Sequence, residues 1–167
     1  VAAMNPCPCG HLGDPRQACH CTAAQIQRYQ ARLSGPLLDR IDLQVEVPAL
    51  PPEQLTANQP GEDSATVRKR VLAARERVLA ARERQLARGA LNAHLAGREL
   101  EAACGLSAAD RAWLAAVLER LKLSARAYHR VLRVALTLAD LAGVSRPERD
   151  QLIEAVGYRQ LDRLLKG

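Results

Sequence analysis

Apolar residues recur at helical spacing over most of the chain after residue 61. The heptapeptide RVLAARE occurs twice in succession, at 70–76 and 77–83. This repeat predicts one long helix that begins at Ser64 and ends near Arg88, before Gly89. Two heptads are too few to indicate a coiled coil. The predicted apolar stripe consists of Val67, Val71, Ala74, Val78 and Ala81, extended by Leu72, Leu79 and Leu86.

Caps and stop signals predict further helices in the second half of the chain. One runs from Gly97 to Cys104 and is closed by Gly105. Ser107 and Ser124 have the character of N-caps for the next two, the second of which reaches Leu141. Ser145-x-x-Glu148, with Pro147 in the first turn, predicts another helix as far as Val156, and a last turn follows over 159–165. These elements amount to a bundle of five or six helices.

The first sixty residues have a more irregular pattern. A capping box at Thr22 predicts a helix that the stretch Ser34-Gly35-Pro36 ends. Alternating apolar and polar residues over 41–47 predict a strand, and the apolar start at 1–4 suits the end of a buried strand. Prolines at 48, 51, 52 and 60 predict a linker. We therefore expect two domains, 1–58 and 59–167.

Composition favours a mainly α fold. The chain is 48% apolar and 25% charged, but only 2% aromatic, with no Phe, so its core must be built from Leu, Val and Ala. No apolar run approaches the roughly 18 residues of a membrane span, and the start lacks the pattern of a signal peptide. We expect a cytoplasmic protein without a membrane partner. Because the first residue is Val, we also expect the chain to be a piece of a longer protein.

The positive charge is concentrated in the long predicted helix. Between residues 64 and 88 there are eight cations and two acids, a surplus equal to the net charge of +6 of the whole chain. Such a segment suits a polyanionic partner such as DNA. The alternative is a solvated helix face without a partner. The candidate phosphate-binding residues are Arg68, Lys69, Arg75 and Arg82.

Four cysteines near the start form two C-x-C pairs, Cys7/Cys9 and Cys19/Cys21. Two such pairs can supply the four thiolates of a tetrahedral structural Zn²⁺ site, which would have no open position for catalysis. Two disulfides or free thiols are the alternatives, but a chain without an export signal keeps its thiols reduced. His11 and His20 are neighbouring candidate ligands. The fifth cysteine, Cys104, stands among Ala and Leu and is expected in the helical core.

Four stretches together resemble a known family. AMNPCPCG, the second cysteine pair CHC, LSGPLLDRIDLQVEVP and LSARAYHRVLRVALTLADL are similar, in this order, to the C-terminal portion of magnesium-chelatase-like AAA+ ATPases of the ComM and YifB type. The resemblance covers nearly the whole chain. It implies the end of an AAA+ α/β core with a cysteine-rich loop, followed by a helical lid domain. It also implies ATP and Mg²⁺ as ligands, a ring such as a hexamer, and action on DNA by branch migration.

The resemblance implies roles for three residues. Asn5 matches sensor 1, which orients the attacking water, Arg40 matches the arginine finger, and Arg126 matches sensor 2. Phosphoryl transfer spreads negative charge over the γ-phosphate oxygens, which fixed cations stabilise. Taken alone, Asn5 suits a turn, Arg40 could pair with Asp39 or Asp42, and Arg126 competes with Arg130 and Arg133 on its helix.

The sequence contains no phosphate-binding loop for a nucleotide. No G-x-x-x-x-G-K-[ST] loop occurs, so we expect it upstream of Val1 and expect this chain alone not to hydrolyse ATP. Two other functions remain open. One is a magnesium-chelatase motor subunit, although the cysteine loop argues against it. The other is a non-enzymatic, zinc-stabilised module that binds nucleic acid.

Overall fold

The computed structural model describes residues 1–48 and 61–159. Among them the chain forms seven α-helices and one 3₁₀-helix, and the described part contains no strand. The α-helices are α1 (Ala23–Gln30), α2 (Gly35–Leu38), α3 (Ser64–Ala87), α4 (Gly97–Cys104), α5 (Ala108–Arg120), α6 (Ala125–Ala142) and α7 (Arg149–Gly157), and the 3₁₀-helix is Asn92–His94. The prediction of a mainly α protein with a helical bundle is confirmed.

Helix α6 is the centre of the bundle. It packs against α3, α4 and α7, and it carries the largest set of buried residues of any described helix. Its buried face follows the spacing of about 3.6 residues that a helix needs to turn one side to a core. Leucines from α4, α5 and α7 complete this core, together with Cys104, which is buried as predicted.

Local capping explains where most of these helices begin and end. The hydroxyl of Ser107 accepts a hydrogen bond from the amide of Asp110 at 3.0 Å, and that of Ser124 accepts one from Ala127 at 3.2 Å. Gly105 ends α4 in the left-handed conformation at φ 51°. The prediction that Ser145 opens the last helix is wrong. Glu148 is the N-cap of α7 and forms a capping box with Gln151.

Helix α3 is attached to the bundle by only part of its surface. Ala81 is its one buried residue, whereas Val71, Leu72, Val78, Leu79 and Leu86 are 46–61% exposed. The described bundle therefore leaves most residues of the predicted apolar stripe exposed, because the heptad repeat carries more apolar residues than the bundle covers. No described helix has the length and apolar character needed to cross a membrane.

Both strand predictions in the first part are wrong. Residues 1–4 are exposed and irregular, and residues 41–48 form no ladder. A strand requires neighbours to pair with its backbone, and the described residues offer this segment only one such contact, from the amide of Gln44 to the carbonyl of Tyr158 at 2.9 Å. Ser34-Gly35-Pro36 does not merely end a helix, since Ser34 is the N-cap of α2.

Two predictions fall on residues that are not described. The proline-rich linker lies between 48 and 61, and the last turn lies beyond Arg159, so both stay predictions, as does the domain boundary. Segment 38–44, which belongs to the first predicted domain, nevertheless contacts the ends of α6 and α7. That contact positions one of the candidate sites described below.

Candidate functional site

The four N-terminal cysteines converge on one point. The Sγ atoms of Cys7, Cys9 and Cys19 lie 3.4 to 3.6 Å from one another, and all four Sγ atoms, including that of Cys21, lie within 4.8 Å of one another. Zinc–sulfur bonds of about 2.3 Å in a tetrahedron would separate the sulfurs by roughly 3.8 Å. The arrangement therefore fits one tetrahedral metal ion. All four thiols are free, and no disulfide joins them.

The loop between the two pairs folds through local turns. The amide of Gly10 donates to the carbonyl of Cys7 at 3.0 Å, and Gly10 has φ 84°. A residue with a side chain would be strained there, so the glycine allows the chain to reverse directly after the first pair. Asp14 then caps the next turn and accepts a hydrogen bond from the amide of Arg16 at 2.9 Å.

The electrostatics of the cluster indicate that it needs a cation to ionise fully. A hydrogen bond from the backbone of His11 lowers the pKa of the Cys9 thiol to about 5. The pKa of Cys19 is raised to about 12, because loss of solvent and the neighbouring thiols outweigh the backbone hydrogen bond from Cys21, which lowers it. Without a positive charge among them, four thiolates this close repel one another.

Neither histidine belongs to the cluster of candidate ligands. The Nδ1 atom of His11 lies 3.6 Å from a carboxylate oxygen of Asp14, and His20 is exposed. A set of four sulfurs is typical of structural zinc sites, in which no coordination position is open to a substrate. Among the described residues, the four cysteines are thus the group that could hold a metal ion, and they suit a structural role.

Asn5, the candidate sensor 1, lies beside this loop. Its side chain is exposed, and a Cβ placed on Gly10 would come within 3.7 Å of the Asn5 side-chain nitrogen. The next residue, Pro6, accepts a hydrogen bond from the Gln30 side chain at 3.1 Å, which ties this segment to the end of α1. Asn5 lies outside any described strand, so its predicted place at a strand tip is wrong.

Arg40, the candidate arginine finger, is exposed directly after α2. It forms no ion pair with any described residue. The alternative pairing with Asp39 or Asp42 is absent, because other residues engage both carboxylates. Ser124 donates to Asp39 at 2.8 Å, and Arg130 donates to Asp42. Among the residues that the structure describes, Arg40 therefore has no acidic partner.

Arg126, the candidate sensor 2, is exposed in the first turn of α6 and has no ion pair among the described residues. Its two competitors are engaged elsewhere. Arg130 pairs with Asp42, and Arg133 donates to the carbonyl of Leu95 at 3.0 Å. Because Ser124 precedes Arg126 by two residues and bonds to Asp39, the segments that carry Arg126 and Arg40 lie next to each other.

The basic helix α3 divides into engaged and exposed cations. Arg84 and Arg88 contact Asp140 of α6, and Arg70 pairs with Glu62 at 2.8 Å. The others are exposed and have no ion pair among the described residues; they are Arg68, Lys69, Arg75, Arg77 and Arg82. All four candidate phosphate-binding residues are in this exposed group.

Two arginines have contacts that the sequence did not indicate. Arg88, one of the eight cations counted between residues 64 and 88, donates two hydrogen bonds to the buried carboxylate of Asp140. Arg159 is 1% exposed and contacts the segment around Arg40. In both cases the partner is an acidic residue distant in sequence, Asp140 for Arg88 and Asp39 for Arg159. No local sequence pattern indicates which arginine will pair with such a residue.

Comparison with protein-family models now defines the class of protein. The family described as "Magnesium chelatase, subunit ChlI C-terminal" matches residues 61–159, and the family described as "Magnesium chelatase, subunit ChlI" matches residues 1–55. The chain belongs to the magnesium chelatase ChlI family. The two matches meet within the predicted linker.

The chain is also similar to individual proteins of known sequence. It is 47% identical over 166 residues to the uncharacterized protein YifB of Salmonella typhimurium, covering 99% of this chain and 31% of that protein. It is 46% identical over 167 residues to the competence protein ComM of Haemophilus influenzae, again with 99% and 31% coverage. The resemblance to ComM and YifB is confirmed. The chain spans about a third of the length of these relatives.

Proposed function

We propose that the chain is the C-terminal part of an AAA+ ATPase motor that acts on DNA and supplies the sensor and finger residues of its nucleotide site. The observation that carries the proposal is the contact between two segments that each carry an exposed arginine, Arg40 after α2 and Arg126 in α6, in a member of the ChlI family. The similarity to a competence protein favours DNA as the substrate of the motor.

Each proposed role follows from the chemistry of phosphoryl transfer. The transferred group develops negative charge on its oxygens, which an always-charged guanidinium can bind through two donors. Arg40 acts as the finger toward the nucleotide of a neighbouring subunit, and Arg126 as sensor 2. Asn5 acts as sensor 1 and orients the attacking water. ATP and Mg²⁺ bind at a phosphate-binding loop that precedes this chain in the parent protein.

The cysteine cluster has a supporting role in this proposal. Cys7, Cys9, Cys19 and Cys21 would hold Zn²⁺, which supplies no catalysis but ties together the two ends of a loop. Since Asn5 lies only two residues before Cys7, and a Cβ placed on Gly10 would meet its side chain, the metal would also restrict where Asn5 can lie. The ring is proposed as a hexamer in the cytoplasm.

Helix α3 is the proposed DNA contact. Arg68, Arg75 and Arg82 are spaced seven residues apart and therefore lie along one side of the helix, and none of them is engaged by another described residue. Lys69 lies beside the first of them. Cations in such a row bind phosphates independently of base sequence, so binding should weaken steeply with salt.

The nucleotide roles are tested in the parent protein that carries the phosphate-binding loop. Arg40→Ala should reduce the ATPase kcat by about 10³-fold or more, because fingers contribute roughly 10³ to 10⁵ to turnover, while nucleotide binding changes little. The control is Arg98→Gln, because Arg98 is an exposed arginine of α4 that pairs with no described acidic residue. Normal turnover in Arg40→Ala would rule out the finger assignment.

The DNA contact is tested by comparing two variants that each lose three positive charges, one on α3 and one on other helices. The first variant replaces three residues of α3, Arg68, Arg75 and Arg82, with Gln, and the matched control replaces three exposed arginines of α4 and α5, Arg98, Arg111 and Arg120. The α3 variant should lower the slope of log K against log salt by about 3, at roughly 0.9 per lost phosphate contact. Equal weakening in both variants would indicate net charge alone.

The same assay separates the motor from the non-enzymatic alternative. A zinc-stabilised binding module predicts that the 167-residue chain binds DNA tightly without nucleotide. The motor predicts weak binding by the chain and strong, nucleotide-dependent binding by the parent ring. A magnesium-chelatase motor remains the other candidate because of the family match, and DNA-independent ATP turnover coupled to metal insertion would favour it.

A further inference from the structure

Arg159 is a buried charge at the end of the described chain. It follows α7 by two residues, its side chain is 1% exposed, and it is the largest fully buried side chain among the described residues. Arginine is seldom buried unless its charge is paired and its donors are used. The contacts of Arg159 therefore indicate which segment of the chain this end of the bundle binds.

Three contacts of the Arg159 side chain go to the turn that carries Arg40. The Nη1 atom of Arg159 donates to the carbonyl of Leu38 at 3.5 Å and to the carbonyl of Ile41, and its Nη2 atom lies 3.5 Å from a carboxylate oxygen of Asp39. Arg159 thus contacts the residues on both sides of Arg40. Arg40 itself remains exposed.

Two further contacts extend this attachment to the rest of the bundle. The second carboxylate oxygen of Asp39 accepts a hydrogen bond from Ser124, the N-cap of α6, at 2.8 Å, and Asp42 pairs with Arg130 of the same helix. Asp39 is therefore shared by the end of α7 and the start of α6. Segment 38–44 has no sheet beside it among the described residues, so these side chains, together with the backbone hydrogen bond from Gln44 to Tyr158, provide its attachment.

We propose that Arg159 is a positioning residue, which fixes the Arg40 turn against the start of the helix that carries Arg126. The inference rests on the proposed function insofar as it concerns ATP turnover. In physical terms, the buried guanidinium holds backbone carbonyls on either side of Arg40, so the finger is directed by the lid bundle. A misplacement of about 1 Å at such a group can reduce a rate by about 10²-fold.

The attachment is tested first in the 167-residue chain, without nucleotide. Amide hydrogen exchange is compared between the original chain, Arg159→Gln and the control Arg98→Gln. In Arg159→Gln the amide of Gln44, which donates to Tyr158, should exchange about tenfold faster or more, while amides in the middle of α6 remain protected. Unchanged exchange over 38–44 would overturn the proposal.

The positioning role is tested in the parent ATPase. Arg159→Gln should lower kcat for ATP by about tenfold or more, with KM changed by less than about threefold, and Arg159→Lys should recover part of the loss because it keeps the charge but not the forked donors. A purely structural role would lower the melting temperature but leave the turnover of the folded ring unchanged. Full turnover in Arg159→Gln, with 38–44 loosened, would overturn the positioning role.

The two tests keep this inference apart from the proposed function. If Arg40→Ala retains turnover, the finger assignment fails, and Arg159 then cannot act through Arg40 either. The exchange experiment still decides whether Arg159 holds the turn, because it involves no nucleotide. Faster amide exchange in Arg159→Gln, together with a loss of ATP turnover in both Arg40→Ala and Arg159→Gln, supports the finger assignment and the positioning role.

Discussion

Replacing Arg88 with Met should destabilise the helical bundle more than any other single charge removal on α3. The Asp140 side chain is 1% exposed, and Arg88 donates to its two oxygens at 2.7 and 2.6 Å. Asn92 adds a third hydrogen bond at 2.8 Å. Without Arg88, the buried carboxylate keeps Asn92 as its only side-chain donor among the described residues.

The size of the loss of stability follows from the burial of Asp140 and from the hydrogen bond that Asn92 still donates to it. Removing one partner of a buried ion pair costs about 3–5 kcal/mol. The lower end applies here, since Asn92 still donates and Arg88 is 25% exposed, which allows water to replace part of the guanidinium. About 3 kcal/mol corresponds to a decrease in Tm of roughly 12–24 °C for a domain of about 100 residues.

The assay is thermal unfolding of the 167-residue chain, followed by circular dichroism at 222 nm. Arg75→Met is the matched control, because Arg75 is exposed on the same helix and has no ion pair among the described residues. Arg88→Met combined with Asp140→Leu should regain most of the loss, since no unpaired buried charge remains. If Arg88→Met and Arg75→Met lower Tm equally, the assigned role of the pair is wrong.

Three further results are expected. Cys7→Ser should abolish stoichiometric binding of zinc, measured by elemental analysis, while the helical circular-dichroism signal of the bundle persists. The control Cys104→Ala should keep its zinc, and zinc retained by Cys7→Ser would contradict the ligand set. Hydrogen bonds from Ser107 and Arg149 hold the pKa of Asp110 below its usual value, so Asp110 stabilises the fold above about pH 4 and loses this contribution as pH falls further. Asp110→Asn should therefore weaken the dependence of the free energy of unfolding on pH below about pH 4. An unchanged pH dependence would rule out this contribution of Asp110 to stability. Burial raises the pKa of Cys104 to about 12, so this thiol should react with iodoacetamide only at the rate of unfolding, and rapid alkylation in the native state would contradict its place in the core.

The sequence alone determined the features that depend on near neighbours. The N-caps at Ser107 and Ser124, the closing Gly105 and the long helix from Ser64 were all predictable, because a helix end is specified by residues within one turn of it. The cysteine cluster was predictable for a similar reason, since two short pairs joined by a glycine-rich loop can meet without help from the rest of the fold.

The tertiary structure decided what each charge contacts and which apolar residues are covered. Arg84 and Arg88 are engaged by Asp140 while Arg75 and Arg82 are exposed, although three of the four belong to one repetitive helix and Arg88 is its C-cap. Contacts of this kind join residues more than fifty positions apart, so no local pattern distinguishes a paired arginine from a free one. The segment after Arg40 shows the same dependence. Its alternation suits a strand, but a strand needs neighbouring backbone, and here the contacts come from the ends of two helices, with Arg159 more than a hundred residues away.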